Sequence, residues 1–232
     1  MFFSELDILT KEIIESLGKH MRMTEKTPKQ YLHMSYPKLL PIMRFETHQY
    51  DVEQFGTVTT FQTRRLGGKM QLSTMVCTPS KGLEIPLLVV DCMVMPKKQR
   101  ALCFVEFYDC TEKGMKDTKL FEGLHNRYSN YPDYEEKRAW YVKERAPYSM
   151  IKSDLAWQQG YGVQKMVRDT MEVYTLVAKH ARKDGRNIRK IRELQQRMVE
   201  DGSPAKPILE KVLGKKEAES FFRTVVMPVP ES

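Results

Sequence analysis

One stretch constrains the rest of the chain: Leu83-Glu-Ile-Pro-Leu-Leu-Val-Val-Asp-Cys-Met-Val-Met-Pro96, an apolar run with a carboxylate, Asp91, set in its middle. Bounded by Gly82 and Pro96, it reads as a strand covered on both faces. Period-two alternation puts Leu87, Val89, Asp91, Met93 and Met95 on one face and Leu88, Val90, Cys92 and Val94 on the other. Asp91 therefore points the same way as a row of aliphatic and thioether side chains. An ionised carboxylate there costs on the order of several kcal/mol of desolvation unless a cation or donor meets it. Otherwise it holds its proton near neutral pH, which is the condition for a general acid. A structural Asp hydrogen-bonded to a nearby backbone loop would fit equally well, and position alone leaves both readings open.

Turn signals on either side build a sheet around this strand. Residues 57–63 lead through Leu66-Gly67-Gly68 into residues 69–77, a hairpin pattern, and Thr78-Pro-Ser-Lys-Gly82 turns the chain into the Asp91 strand. Residues 96–100 turn it again into 101–108, so short connections predict an antiparallel meander of four strands. Before it, Ser4 as N-cap and Leu6, Leu9, Ile13 and Leu17 at helical spacing predict a helix ending at Gly18. Residues 21–43 read as irregular, broken by Pro28, Pro37 and Pro41. After the meander the pattern gives a helix over 115–127 and a strand over 149–157. Helices over 163–182, 187–199 and 203–213 come next, with a last one over 215–226. Helices before and after a meander predict an antiparallel sheet with helices on both faces, an α/β/α sandwich. No linker interrupts residues 1–232, and 41% hydrophobic residues suffice for one full core.

The four cysteines, Cys77, Cys92, Cys103 and Cys110, fall in or beside these strands without a CxxC pair. They read as buried reduced thiols of a cytosolic protein, not as a zinc site or a disulfide framework. The opening residues lack a basic n-region and a long apolar run, so no signal peptide is expected, and no apolar run is long enough to span a membrane. P-loop, GxGxxG, HExxH and GxSxG patterns are absent, and the five histidines are scattered, with His48 alone near the sheet. A net charge of +8 suits an anionic partner without choosing among nucleic acid, an acidic protein and a carboxylate ligand. The fifteen methionines fit an adaptable apolar pocket or compositional bias equally well.

Three anchors, in order, give the chain a family resemblance. Pro86-Leu-Leu-Val-Val-Asp91 with Pro96 is similar to the Pro-Leu-x-x-x-Asp strand of the ferredoxin-dependent bilin reductases. Arg145-Ala-Pro-Tyr-Ser149 resembles their Pro-Pro-Trp-Gly segment. Lys206-Pro-Ile-Leu-Glu-Lys-Val-Leu-Gly214, with Ala218, Phe221 and Val225, resembles their closing helices. The resemblance covers residues 54–227 and implies an α/β/α sandwich holding an open-chain tetrapyrrole between the sheet and the C-terminal helices. It implies no bound cofactor and no metal, with electrons arriving singly from an external [2Fe-2S] ferredoxin. Asp91 matches the family's proton donor, and protonating the bilin makes each one-electron step easier. Thr74 and Met93 are expected beside the substrate, with Lys143 and Arg145 positioned to clamp a propionate. Lys97, Lys98 and Arg100, at a strand-edge turn, are expected to meet ferredoxin.

Departures from the family pattern narrow the expected chemistry. Where phycocyanobilin-forming members pair the Asp with a His on the preceding strand, an ungapped count puts Thr74. Their further Glu falls at Phe61 or Gln62, and residues 158–162 carry no acid, leaving Asp91 as the one carboxylic proton donor the resemblance supplies. The expected function is ferredoxin-dependent reduction of a linear tetrapyrrole, biliverdin first among them, by a monomeric cytoplasmic enzyme with no nucleic-acid or membrane partner. The alternatives are a non-catalytic bilin or haem carrier on the same fold, and a reductase of a chlorophyll-derived linear tetrapyrrole.

Overall fold

The apolar run around Asp91 is an inner strand of one eight-stranded antiparallel sheet. In chain order the strands are β1 (Met23–Glu25), β2 (His33–Tyr36), β3 (Met43–Val52), β4 (Gly56–Arg65), β5 (Gln71–Pro79), β6 (Leu87–Met95), β7 (Arg100–Tyr108) and β8 (Met150–Ala156). Strands β3 to β7 pair in succession, β8 adds beyond β7, and β1 and β2 share the far edge of β3. This is a computed structural model, and it describes residues 2–66, 70–95, 100–135, 139–156 and 161–231. The expected Gly67-Gly68 turn, Lys97, Lys98 and residues 157–160 lie outside the described residues.

Helices cover both faces, as expected. On one face pack α1 (Phe2–His20), α3 (Lys119–Arg127) and α4 (Tyr161–His180). Leu6, Leu9, Ile13 and Leu17 of α1 are all buried there, each contributing about 1.5–3 kcal/mol of hydrophobic stabilisation. Leu88, Val90, Cys92 and Val94 of β6 supply the sheet side of this core. On the other face pack α2 (Lys29–Leu32), α5 (Ile188–Glu200), α6 (Lys206–Leu213) and α7 (Lys215–Phe221). Leu87 and Val89 point to that side, so β6 alternates as its sequence requires. All four cysteines are buried and unbridged.

The structure differs from the sequence expectation at several places. Residues 21–43 are not irregular, because they hold β1, α2 and β2. The ten-residue β3 is likewise not expected from the sequence pattern, and the reason is chemical. Its inward row runs through Phe45, Thr47 and Gln49, so polar residues sit where alternation leads one to expect apolar ones. Helix α3 begins at Lys119 instead of residue 115, because Asp109 holds the preceding loop. Its carboxylate accepts from the backbone N–H groups of Thr111 and Met115, at 2.9 and 3.0 Å. Helix α1 starts at Phe2, two residues before the expected cap.

The C-terminal end closes the second layer in an unusual way. Gly214, with φ of +82°, reverses the chain between α6 and α7, a backbone setting that glycine adopts at little cost. Helix α7 then widens into a π-helical turn over Phe222–Val226. Such a turn leaves carbonyls outside the α-helical ladder, and side chains from other elements meet them here. Gln49 of β3 donates to the Thr224 and Val225 carbonyls at 2.9 and 3.0 Å, and Thr59 of β4 donates to Val225 at 2.6 Å. From the opposite side, Gln195 of α5 donates to the Arg223 and Met227 carbonyls at 3.0 and 2.6 Å. Gln49 thus finds its partners in tertiary structure, which is why β3 can carry it inward.

Candidate functional site

Between the sheet and the C-terminal helices lies a cleft of about 410 Å³. Strands β4 to β7 form its floor, Met198, Leu209, Phe221 and Phe222 its roof, and Tyr141 with Arg145 also line it. Five methionines line it (Met43, Met70, Met93, Met198 and Met227), a concentration that gives the walls adaptable shape. Its size falls among small-molecule clefts, roughly 300–1,000 Å³.

Asp91 enters this cleft from the floor. The β5–β6 register sets Thr74 directly opposite it, and the Thr74 hydroxyl donates to the Asp91 carboxylate. One strand further out, Phe61 of β4 stands opposite Thr74, and on the other side Phe104 of β7 stands opposite Asp91. The row across the floor therefore reads Phe61, Thr74, Asp91, Phe104. The ungapped count from the sequence matches this register: Thr74 and Phe61 occupy the cross-strand places where the resemblance looks for His and Glu. Asp91 has a neutral hydroxyl donor from Thr74 and aromatic rings on the same row.

A second carboxylate, not expected from the sequence, stands in the same cleft. Glu106 of β7 is opposite Val89, two pairs along from Asp91 and so on the same face, and its side chain is 7% exposed. It forms an ion pair with Arg145, also 7% exposed. The Arg145 guanidinium lies 5.4 Å from the centre of the Tyr141 ring. Burial, reinforced by Glu106 and opposed by Arg145, pushes the Tyr108 phenol far above its ordinary range, so it keeps its proton as a donor. An antiparallel bridge between Tyr108 and Arg145 fixes the segment that carries the guanidinium, and the Ala146 N–H donates to the Phe107 carbonyl at 2.7 Å. A signal for Glu106 is present in the sequence all the same. Ala101-Leu-Cys-Phe-Val-Glu-Phe-Tyr108 places an acid among apolar residues just as the Asp91 strand does, and alternation along the strand with Phe104 sets it on the cleft face.

The expected site residues therefore divide. Asp91, Thr74, Met93 and Arg145 meet in the cleft. Lys143 is exposed on the 3₁₀ turn Trp140–Glu144 and does not line it. Arg145, expected as a ligand clamp, lines the cleft and pairs with a carboxylate of the chain itself. Arg100 opens β7, while Lys97 and Lys98 fall outside the described residues. His48, near the sheet edge, contacts Glu25 and Glu46 on the sheet face opposite the cleft. Among the described residues no cluster of three or more His, Cys, Asp or Glu side chains could hold a metal ion. No helix among them is long and apolar enough to cross a membrane.

A large antiparallel sheet between two helical layers, with an apolar cleft under the C-terminal helices, is an architecture consistent with the bilin reductase fold. No protein-family model matches the chain, and no curated protein matches it in sequence. Among solved structures, the crystal structure of selenomethionine phytochromobilin synthase from tomato in complex with biliverdin matches with a TM-score of 0.77. The match covers 95% of this chain and 82% of that one at 10% sequence identity, so the likeness is one of fold.

Proposed function

We propose that the cleft binds an open-chain tetrapyrrole, biliverdin first among them, and that the chain reduces it with single electrons from an external [2Fe-2S] ferredoxin. The observation that carries this reading is Asp91, set on the floor of an apolar cleft with Thr74 as donor, in a fold shared with a protein solved in complex with biliverdin. The apolar walls suit a flat conjugated ligand and keep water from a radical intermediate.

In this mechanism the Asp91 carboxyl gives its proton to the tetrapyrrole, which makes the pigment a better electron acceptor. One electron from reduced ferredoxin then yields a neutral radical. Solvent returns a proton to Asp91, and a second electron and proton complete reduction of one double bond. Thr74 orients the carboxyl group through its hydroxyl. Glu106 and Arg145 act as a pair: the carboxylate holds the guanidinium in place beside the Tyr108 phenol. A ligand carbonyl or lactam there would meet a hydrogen-bond donor in Tyr108. The net charge of +8 favours a weak, salt-sensitive encounter with an acidic ferredoxin.

A carrier without turnover is the second reading, and Thr74 in the place of a titratable histidine is the observation that favours it. Anaerobic absorbance titration with biliverdin, followed by reduced ferredoxin, separates the readings. A reductase passes through a radical band to a reduced pigment. A carrier binds and leaves the spectrum unchanged on ferredoxin addition. Absence of binding removes both.

A further inference from the structure

Four large hydrophobic side chains stand together in solvent at one end of the sheet. Leu39 is 95% exposed, Leu40 81%, Leu66 69% and Ile42 44%. Leu39, Leu40 and Ile42 belong to the loop joining β2 to β3, which is closed by the Ile42 N–H donating to the Tyr36 carbonyl at 2.9 Å. Leu66, just past β4, joins them through its N–H, which donates to the Ile42 carbonyl at 2.8 Å. Pro37 and Pro41 flank the two leucines, so ordering this loop costs little entropy. Apolar side chains grouped in this way mark an interaction surface.

The charge around the tip is of one sign. Residues 26–45 and 54–83 contain no Asp or Glu. Lys38, Arg44 and Arg65, all exposed, surround the apolar group, with Arg64 opposite Arg44 in the β3–β4 register. Asp7 and Glu46 pair with Arg64, at 2.6 and 3.8 Å. Arg64 is thereby neutralised within the chain, and Lys38, Arg44 and Arg65 are the cations that an anionic surface would meet.

We propose that this tip is a docking site for an anionic lipid surface, with Leu39, Leu40, Ile42 and Leu66 entering the acyl boundary and Lys38, Arg44 and Arg65 at headgroup level. The tip is convex. A rigid protein partner would need a matching hollow, whereas a fluid bilayer closes round a protruding loop without one. Met43 and Met70 line the cleft; Met43 follows Ile42 in the chain, and the Met70 carbonyl accepts from the N–H of Arg65, the residue before Leu66. Docking thus sets the apolar cleft beside the bilayer and gives an apolar ligand a dry route to it. The contact is peripheral, and it replaces the expectation of no membrane partner with one of surface attachment. It stands independently of the pigment reading.

The test is flotation of the full chain with vesicles of phosphatidylcholine alone or mixed with phosphatidylglycerol. The chain floats with the anionic vesicles at low salt, stays behind with the neutral ones, and is released as salt rises. Leu39→Asp/Leu40→Asp lowers partitioning by about tenfold or more per leucine, with an unchanged circular dichroism spectrum and melting midpoint because both side chains are exposed. Leu40→Trp reports insertion directly, as a blue shift of the added emission on anionic vesicles. No flotation at low salt, or equal flotation of the double variant, overturns the proposal. A concentration-dependent dimer that the double variant abolishes, without flotation, assigns the patch to a second copy of the chain and likewise overturns it.

Discussion

Asp91 and Glu106 occupy diagonal positions on neighbouring strands of the cleft floor: Asp91 is opposite Phe104, and Glu106 is opposite Val89. Diagonal neighbours on one sheet face lie about 7–8 Å apart. Two carboxyl groups thus share one apolar cleft with different partners, a hydroxyl for Asp91 and a guanidinium for Glu106. Environments that differ in this way assign different work to like groups. In the proposed reaction Asp91 carries the proton and Glu106 holds Arg145.

Replacing Asp91 by Asn keeps the shape and an oxygen for Thr74 to donate to, but removes the acid. The expected outcome is pigment binding within a few-fold of the unaltered chain, with turnover reduced by about 10²–10⁴-fold. Single-turnover absorbance with reduced ferredoxin checks this. Full turnover by the variant takes Asp91 out of the mechanism.

Glu106→Gln leaves the Arg145 cation buried without its counter-charge. A loss of about 3–5 kcal/mol of stability is expected, read from urea unfolding. Glu106→Gln combined with Arg145→Met removes both charges and recovers most of that loss. A double variant as unstable as the sum of the single ones would show that the two residues act independently.

His48 gives the β1–β3 edge a pH dependence. Burial pulls its pKa down, but Glu25 and Glu46 outweigh this, leaving the folded value above the ordinary histidine value of about 6.5. The stabilisation is therefore complete below about pH 6.5 and is lost as pH rises through the raised folded value. All three side chains are partly solvent-exposed, so the effect is a loosening of the edge and not unfolding. Amide exchange at Glu25 and Tyr50, paired across β1 and β3, accelerates on the alkaline side beyond the intrinsic rise, and His48→Gln abolishes that excess. Unchanged protection from pH 6 to 9 would contradict the prediction.

Gln195→Leu strips the Arg223 and Met227 carbonyls of a buried donor. The cost is about 1–3 kcal/mol. Because these carbonyls belong to and follow the π-helical turn that carries Phe222 and Val226 into the cleft lining, faster dissociation of the proposed pigment is also expected, measurable by stopped-flow displacement.

How much of the fold and the cleft is legible in the sequence depends on where each residue finds its partner. The meander β4–β7 and the two faces of β6 come from alternation alone, because hydrophobic burial imposes period two on every such strand. Helix α1 likewise announces itself through Leu6, Leu9, Ile13 and Leu17. Strand β3 does not, because Gln49 and Thr47 face inward and Gln49 is satisfied by carbonyls 175 and 176 residues away in the chain. The Thr74–Asp91 pairing is countable from the ungapped turn. The Glu106–Arg145 pair is not, because it joins a strand to the end of a 3₁₀ segment across a loop of no clear period. Lys143 is misplaced for the same reason, since nothing local says which side chain of that turn looks inward.

The π-helical turn has one more consequence. Gln49 and Thr59 reach up from the sheet, and Gln195 from α5, to hold the backbone that carries Phe222 and Val226. This sets the gap between sheet and helices as a strut sets the spacing of two plates. For the proposed planar pigment this spacing is left intact, whereas widening it would break buried hydrogen bonds. In the proposed binding, ligand thickness is thus set by hydrogen bonds to the backbone of the turn and not by the apolar side chains that line the cleft.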